Sequence, residues 1–156
     1  MLRYTAFLFS VFFGLAGLAA AAQAAPTNLR IVEGEQTLET IEVGVTIEQS
    51  NQALLPVLAD LRFEFDSGSL EFVRAESMTA SKSPFGHVLR KGVLRVTLTG
   101  FSLSTVNEGP LLRLVFKKKG AKRTATIGFA AATKLAPNRA HNALKLAQPL
   151  TMRLTR

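Results

Sequence analysis

The sequence predicts an all-β domain folded as an antiparallel sandwich, and three observations carry that expectation. Apolar and polar residues alternate with a period of two along several short stretches, the mark of strands with one buried face. Turn-forming clusters separate those stretches: Asp66-Ser67-Gly68, Lys91-Gly92, Asn107-Glu108-Gly109-Pro110, Lys119-Gly120 and Ala136-Pro137-Asn138. No internal repeat, coiled-coil pattern or low-complexity linker breaks the series. Short strands joined by such turns are the pattern of a sandwich rather than of alternating helices and strands.

The elements follow in chain order. Met1-Leu2-Arg3-Tyr4 places a positive charge ahead of an uncharged apolar run from Ala6 to Ala22, and Ala22-Gln23-Ala24 supplies a small-x-small cleavage pattern. Residues 1–24 therefore read as a cleaved export signal. The run of 17 residues is short for a membrane span and no basic stop-transfer cluster follows it, so no transmembrane anchor is expected in the mature chain. Residues 25–156 make one domain by length.

Within that domain, Ile41, Val43, Val45 and Ile47 alternate with Glu42, Gly44, Thr46 and Glu48. Ala59, Leu61, Phe63 and Phe65 are expected inward, with Asp60, Arg62 and Glu64 outward. Leu94, Val96 and Leu98 alternate with Arg95, Thr97 and Thr99, and Leu112, Leu114 and Phe116 with Arg113, Val115 and Lys117. Ile127 with Phe129, then Leu150, Met152 and Leu154, complete the apolar set. Ser50 to Pro56 and Met78 to Gly86 lack periodicity and read as connections, the second with room for a helical turn or a mobile loop.

Composition removes most enzyme chemistry. Cysteine is absent, which excludes disulfides, thiolate metal sites and cysteine nucleophiles. His87 and His141 are the two histidines, both beside loop residues and without metal-ligand spacing. Glu42, Glu64 and Asp66 are available carboxylates but sit on or beside strands that a sandwich leaves flat, not across a cleft. Gly100-Phe101-Ser102-Leu103-Ser104 fails at the last position of a nucleophile elbow. No catalytic centre, metal or cofactor is expected. Tryptophan is absent and Tyr4 is the single tyrosine, so a flat aromatic platform for crystalline polysaccharide is not expected either. Phe63, Phe65, Phe72, Phe116 and Phe129 read as core, and Phe85 and Phe101 as loop residues open to exposure.

Charge is segregated along the chain, which carries +8 overall. All eleven acids lie between Glu33 and Glu108, whereas residues 109–156 hold eleven Lys and Arg and no acid. Lys117, Lys118, Lys119, Lys122 and Arg123 form the densest run, a candidate patch for an anionic ligand. The plainer reading is a solvated loop tip whose lysines discourage edge pairing. Nucleic acid is not an expected partner, because no aromatic residues interleave with these lysines to stack bases.

Val57-Leu58-Ala59-Asp60-Leu61-Arg62-Phe63-Glu64-Phe65-Asp66, followed by Leu70-Glu71-Phe72-Val73, resembles the third and fourth strands of the cohesin family. Gln36 to Ile47, Gly92 to Leu98, Gly109 to Phe116, Thr126 to Phe129 and Pro149 to Leu154 are similar, in order, to its first, sixth, seventh, eighth and last strands. The resemblance runs over roughly residues 29–154. It departs where Asp66 is followed by Ser-Gly rather than Pro, and between Ser67 and Leu98 the chain is short. It implies a jelly-roll sandwich of about nine strands with no catalytic centre. It also implies a partner: cohesins bind dockerins, small calcium-loaded helical modules of enzymes that degrade plant cell walls, through one flat sheet face. An Asn and an Asp two apart on the third strand help hold the dockerin. Asp60 matches that Asp, whereas Leu58 stands where the Asn would be.

The candidate partner-binding face is therefore Leu58, Asp60, Arg62, Glu64, Arg95, Thr97, Thr124 and Thr126, with Asp60 outward and open to a partner. An ordinary solvated sheet face accounts for the same residues, with cross-strand charge pairs contributing about 0.2–1 kcal/mol each. Three functions are carried forward. The first is a secreted, non-catalytic module that binds another exported protein, dockerin-like or an envelope component, a link to polysaccharide degradation being one option. The second is a carbohydrate-binding module for soluble or anionic polysaccharide. The third is a structural subunit of an envelope or pilus-type assembly.

Overall fold

The computed structural model describes residues 27–49, 56–79, 84–102, 109–136 and 144–155. The expected export signal and His141 lie outside them, as does the side chain of Phe101. The described chain is all-β. Its strands are β1 (Thr27–Gln36), β2 (Thr40–Gln49), β3 (Pro56–Phe65), β4 (Leu70–Ser77), β5 (Phe85–Arg90) and β6 (Val93–Ser102). They continue with β7 (Gly109–Lys118), β8 (Thr124–Phe129), β9 (Lys134–Ala136), β10 (Leu144–Leu146) and β11 (Leu150–Arg153). One sheet runs β10-β1-β2-β7-β4 and the other β11-β8-β3-β6-β5, with β9 pairing β3 beside β8.

The sandwich is as expected, with differences that have local causes. Among the described residues there are eleven strands where the resemblance implies about nine, and two of them, β9 and β10, are only three residues long. Pairing is antiparallel except between β1 and β10, which run parallel with Thr27 beside Leu144. The family resemblance opens the first strand at Gln36. Instead two strands meet at a turn where the Thr37 hydroxyl accepts the Glu39 and Thr40 N–H groups at 3.2 and 3.0 Å. β5 begins in the last two residues of the stretch read as a connection and runs on to Arg90.

The expected inward faces pack together. Ile41, Val43, Val45 and Ile47 meet Ala59, Leu61, Phe63, Leu94, Val96, Leu98, Leu112, Leu114, Phe116, Ile127 and Met152, all essentially out of solvent. Each large side chain so buried contributes about 1.5–3 kcal/mol of transfer free energy. Phe65, Phe72 and Phe129 are partly buried against this core, with ring centroids 5.3–5.9 Å from Phe116 or Phe63. Val115, expected among the polar positions, is buried as well. It lies on β7 between β2 and β4, where neighbours on both sides cover it.

The β5–β6 turn falls at Lys91-Gly92, where the chain reverses through a left-handed conformation (φ 77°). A Cβ at Gly92 would lie 3.0 Å from the Phe65 carbonyl oxygen. That closeness has a use, since Gly92 C=O accepts the Phe65 N–H at 2.9 Å and ties the turn to β3.

Candidate functional site

β3 lies at the centre of its sheet, and the register of its neighbours decides what its outer face presents. Phe85, Thr97, Asp60 and Lys134 form one row across β5, β6, β3 and β9. His87, Arg95 and Arg62 form the next row, across β5, β6 and β3. Paired residues share a face, so both rows point away from the core. Glu64 is exposed opposite Val93 and Gly128.

Asp60 is on the expected side but not open to a partner. Only 2% of it is exposed. Its carboxylate accepts the Arg95 Nε–H at 2.7 Å and an Arg95 terminal N–H at 3.1 Å. Arg62 NH2 lies 3.7 Å from the same group. Position on the strand alone suggests an accessible acceptor; Arg95 instead hydrogen-bonds both of its oxygens, and Arg62 lies close beside it. What reaches solvent is the guanidinium layer above, with Arg95 and Arg62 side chains 37% and 33% exposed.

Arg62 is held by a residue that the sequence does not single out. β8 leaves β3 at Phe63 and β9 joins it at Asp60. The backbone of Arg62 would be left unpaired between them, which a buried strand does not tolerate. Thr133 fills the gap: its hydroxyl accepts the Arg62 N–H at 3.0 Å and donates to the Arg62 C=O at 2.8 Å. Ala130 N–H donates to the same carbonyl at 2.8 Å. A threonine that follows three alanines (Ala130-Ala131-Ala132-Thr133) carries no sequence signal for this role.

Leu58, 38% exposed, lies on β3 beside Ala136. Thr97 is half-buried between Asp60 and Phe85. Thr124 and Thr126 are exposed on β8 but stand apart, paired with Arg153 and Thr151 of β11. Thr126 is already level with Asp66, past the end of β3. The structure thus joins Leu58, Asp60, Arg62, Arg95 and Thr97 into one cluster and leaves Thr124 and Thr126 at the far end of the face. β5 adds two residues that sequence reasoning does not place on this face: Phe85, exposed as expected at 66% but on a strand, and His87, half-buried with its ring 5.3 Å from Phe85. His87 is on a strand and not in a solvated loop. The alternation of Phe85 and His87 around Gly86 is the one signal that points to them.

Folding divides the basic run, bringing Lys118, Lys119 and Lys122 around one recess and engaging each with other groups. Lys118 donates to the carbonyls of Thr37 and Thr155 at 2.6 and 2.8 Å, and burial lowers the pKa of its ammonium. Lys122 donates to Asp66 at 3.1 Å, and Lys119 lies 3.8 Å from Glu71. Lys117 and Arg123 are exposed. A recess of about 320 Å³ is lined by Leu38, Lys118, Lys119, Lys122, Leu154 and Thr155. The carboxylates considered for hydrolysis stay apart. Glu42 pairs with Arg113 on the other sheet at 3.3 Å, and Asp66 closes the β3–β4 turn by accepting the Gly68 N–H and the Ser69 hydroxyl. Ser69 and then Lys122 hold the Asp66 carboxyl below its ordinary pKa. Among the described residues, no three His, Asp or Glu side chains converge as metal ligands do.

Comparison with known proteins adds the last observations. The cohesin domain family matches residues 27–147, which takes in β1 to β10. Among solved structures, a cohesin module from a Clostridium perfringens family 33 glycoside hydrolase superposes with a TM-score of 0.63 at 14% identity. That alignment covers 82% of this chain and 97% of the other. A chain from a type I cohesin–dockerin complex of Clostridium thermocellum gives 0.58 at 17% identity, covering 82% and 99%. A type III cohesin module from a cell-surface anchoring scaffoldin of Ruminococcus flavefaciens gives 0.57 at 11%, covering 90% and 93%. No curated protein matches the chain.

Proposed function

The chain belongs to the cohesin domain family, and from that premise we propose that it is a non-catalytic recognition module that holds a partner protein on the outer face of the β8-β3-β6-β5 sheet. The partner class follows from the family, in which solved members are found in complex with dockerins. The observation that carries the choice of face is its apolar and cationic surface. Phe85, in the row of Asp60, and Leu58, in the row beyond it, are exposed beside a guanidinium layer held in place by Asp60. Exposed aromatic and arginine side chains are the residue types that dominate protein interfaces. The apolar leader with its Ala22-Gln23-Ala24 pattern supports action outside the cytoplasm after removal of residues 1–24.

The expected use of Asp60 as a direct acceptor gives way to a different role in this reading. Its carboxylate orients Arg62 and Arg95, and the arginines make the contact. The basic run at 117–123 is less suited to carry binding, since Lys118 is occupied by backbone carbonyls and Lys122 by Asp66.

The test is affinity capture of the organism's exported proteins on the mature domain, followed by titration of the captured dockerin-bearing protein against variants. Phe85→Arg should lower affinity by at least tenfold, because it removes an apolar contact and adds a charge. Lys117→Gln combined with Lys119→Gln should leave affinity within about twofold, as expected for charges outside the contact. Loss with the lysine pair and none with Phe85→Arg would transfer the site to the basic run and favour an anionic polysaccharide.

A further inference from the structure

Resting on the reading that a partner docks on this face, we infer that the partner is a protein surface presenting a carboxylate, from Asp or Glu, to the Arg62–Arg95 pair.

The register supplies the reason. Arg62 and Arg95 are direct cross-strand partners, and like charges so placed repel. His87 extends the same row on the far side of Arg95. Among the described residues, Asp60 is the single carboxylate serving both guanidiniums, and it approaches from one side only, through the neighbouring row. Its bonds to Arg95 are short and paired, whereas Arg62 stands 3.7 Å away, and the Arg62 Nε–H is buried without a hydrogen-bond partner. The cluster is one negative charge short of balance, and the part-exposed Arg62 and Arg95 side chains are what a partner could reach.

The wider face has the same sign. Among the described residues, Asp60 and Glu64 are the acids on it, against Arg62, Arg90, Arg95, Lys134 and Arg153. A carboxylate set above Arg62 and Arg95 would separate the two like charges and accept charge-assisted N–H bonds, the strong kind. Phe85 stands two strands from Asp60 in the adjoining row, so an apolar side chain beside that carboxylate would cover it. A positive face of this kind also speeds encounter with an acidic partner.

The experiment uses the mature domain and a displayed library of dockerin modules randomised at their exposed helix positions. The inference expects recovered clones enriched in Asp and Glu, with affinities for the parent domain that fall at raised salt, fall at least tenfold for Arg62→Gln/Arg95→Gln, and depend less on salt in that variant. Asp60→Asn/Arg62→Gln/Arg95→Gln provides a companion in which no buried carboxylate is stranded, and circular dichroism checks both for folding. Clones that bind without acidic enrichment, lose affinity with Phe85→Arg and ignore the arginine changes would overturn the carboxylate inference but leave the face in place. Clones indifferent to all of these variants would overturn the face itself, and the inference with it. Recovery of no clone, with polygalacturonate retained through the same arginines, would also overturn the inference and assign the charge to a polysaccharide.

Discussion

Asp60 sets the electrostatics of the outer face while scarcely touching solvent. Removing it leaves Arg62 and Arg95 facing each other with no acid between them, but both are part-exposed and can regain some hydration. Asp60→Ala should therefore cost about 1–3 kcal/mol, the range for a lost charged hydrogen-bond partner, and not the larger loss of a fully enclosed ion pair. Arg95→Ala should also destabilise, because it deprives a buried carboxylate of its two shortest bonds. Urea denaturation of both single variants and the double variant tests the pairing. The double variant should cost less than the sum of the singles by about 0.5–3 kcal/mol. Simple additivity would mean that the contact seen between the two side chains contributes nothing. Binding by Asp60→Ala is expected to fall as well, through loss of arginine orientation, so its effect on affinity cannot be read as direct contact.

At the scale of strands, legibility followed burial on one face. β2, β3 and β6 could be read because inward apolar and outward polar residues alternate along them, and β7 could be read from Leu112, Leu114 and Phe116 although Leu111 and Val115 are buried as well. β5 could not, because its inward position is Gly86, where a Cβ would sit 2.9 Å from the Phe72 ring, while its large apolar Phe85 points outward. β1 has Leu29 and Ile31 inward but then runs into Glu33, Gly34 and Glu35, which hide its length. The site was legible in part for the same reason. Alternation placed Asp60 and Arg62 on the outer face, but the side chain that covers Asp60 comes from β6, 35 residues away. The register of β3 makes a sharp prediction. Phe63→Ala should cost about 3–5 kcal/mol through the cavity it leaves, whereas the exposed neighbour Glu64→Ala should stay within about 0.5 kcal/mol. The turn into β6 makes another. Gly92→Ala should cost about 1–3 kcal/mol, the range for a non-glycine residue held in a left-handed conformation. Equal melting temperatures for Gly92→Ala and the parent protein would show that the turn relaxes to another form.

Across the whole molecule, folding undoes the segregation of charge seen along the chain. Bases from the acid-free final third reach acids contributed by earlier strands. Lys122 meets Asp66, Arg113 meets both Glu42 and Glu76, and Lys119 lies near Glu71. These links join β7 and the loop after it to β2, β4 and the β3–β4 turn, so part of the charge asymmetry serves assembly of the sandwich. Two of the acids have lowered pKa values. Asp66 is lowered by the hydrogen bond from Ser69 and then that from Lys122, and Glu76 by the hydrogen bond from Arg74, with the charge of Arg113 adding to it. An acid whose pKa is lower folded than unfolded contributes stability that is present above its unfolded value and lost as pH falls towards its folded one. Stability should therefore hold from neutral pH down to about pH 5 and decline below about pH 4.5, where unfolded carboxylates begin to take up protons. Asp66→Asn/Glu76→Gln should lower stability at neutral pH and flatten that acid limb, and added salt should narrow the difference from the parent protein, since these pairs are partly exposed to screening. Denaturation midpoints between about pH 3 and 7, at low and high salt, give the comparison. An acid limb as steep in the double variant as in the parent protein would place the acid sensitivity on other carboxylates and remove these two links from the account of how the sandwich is held.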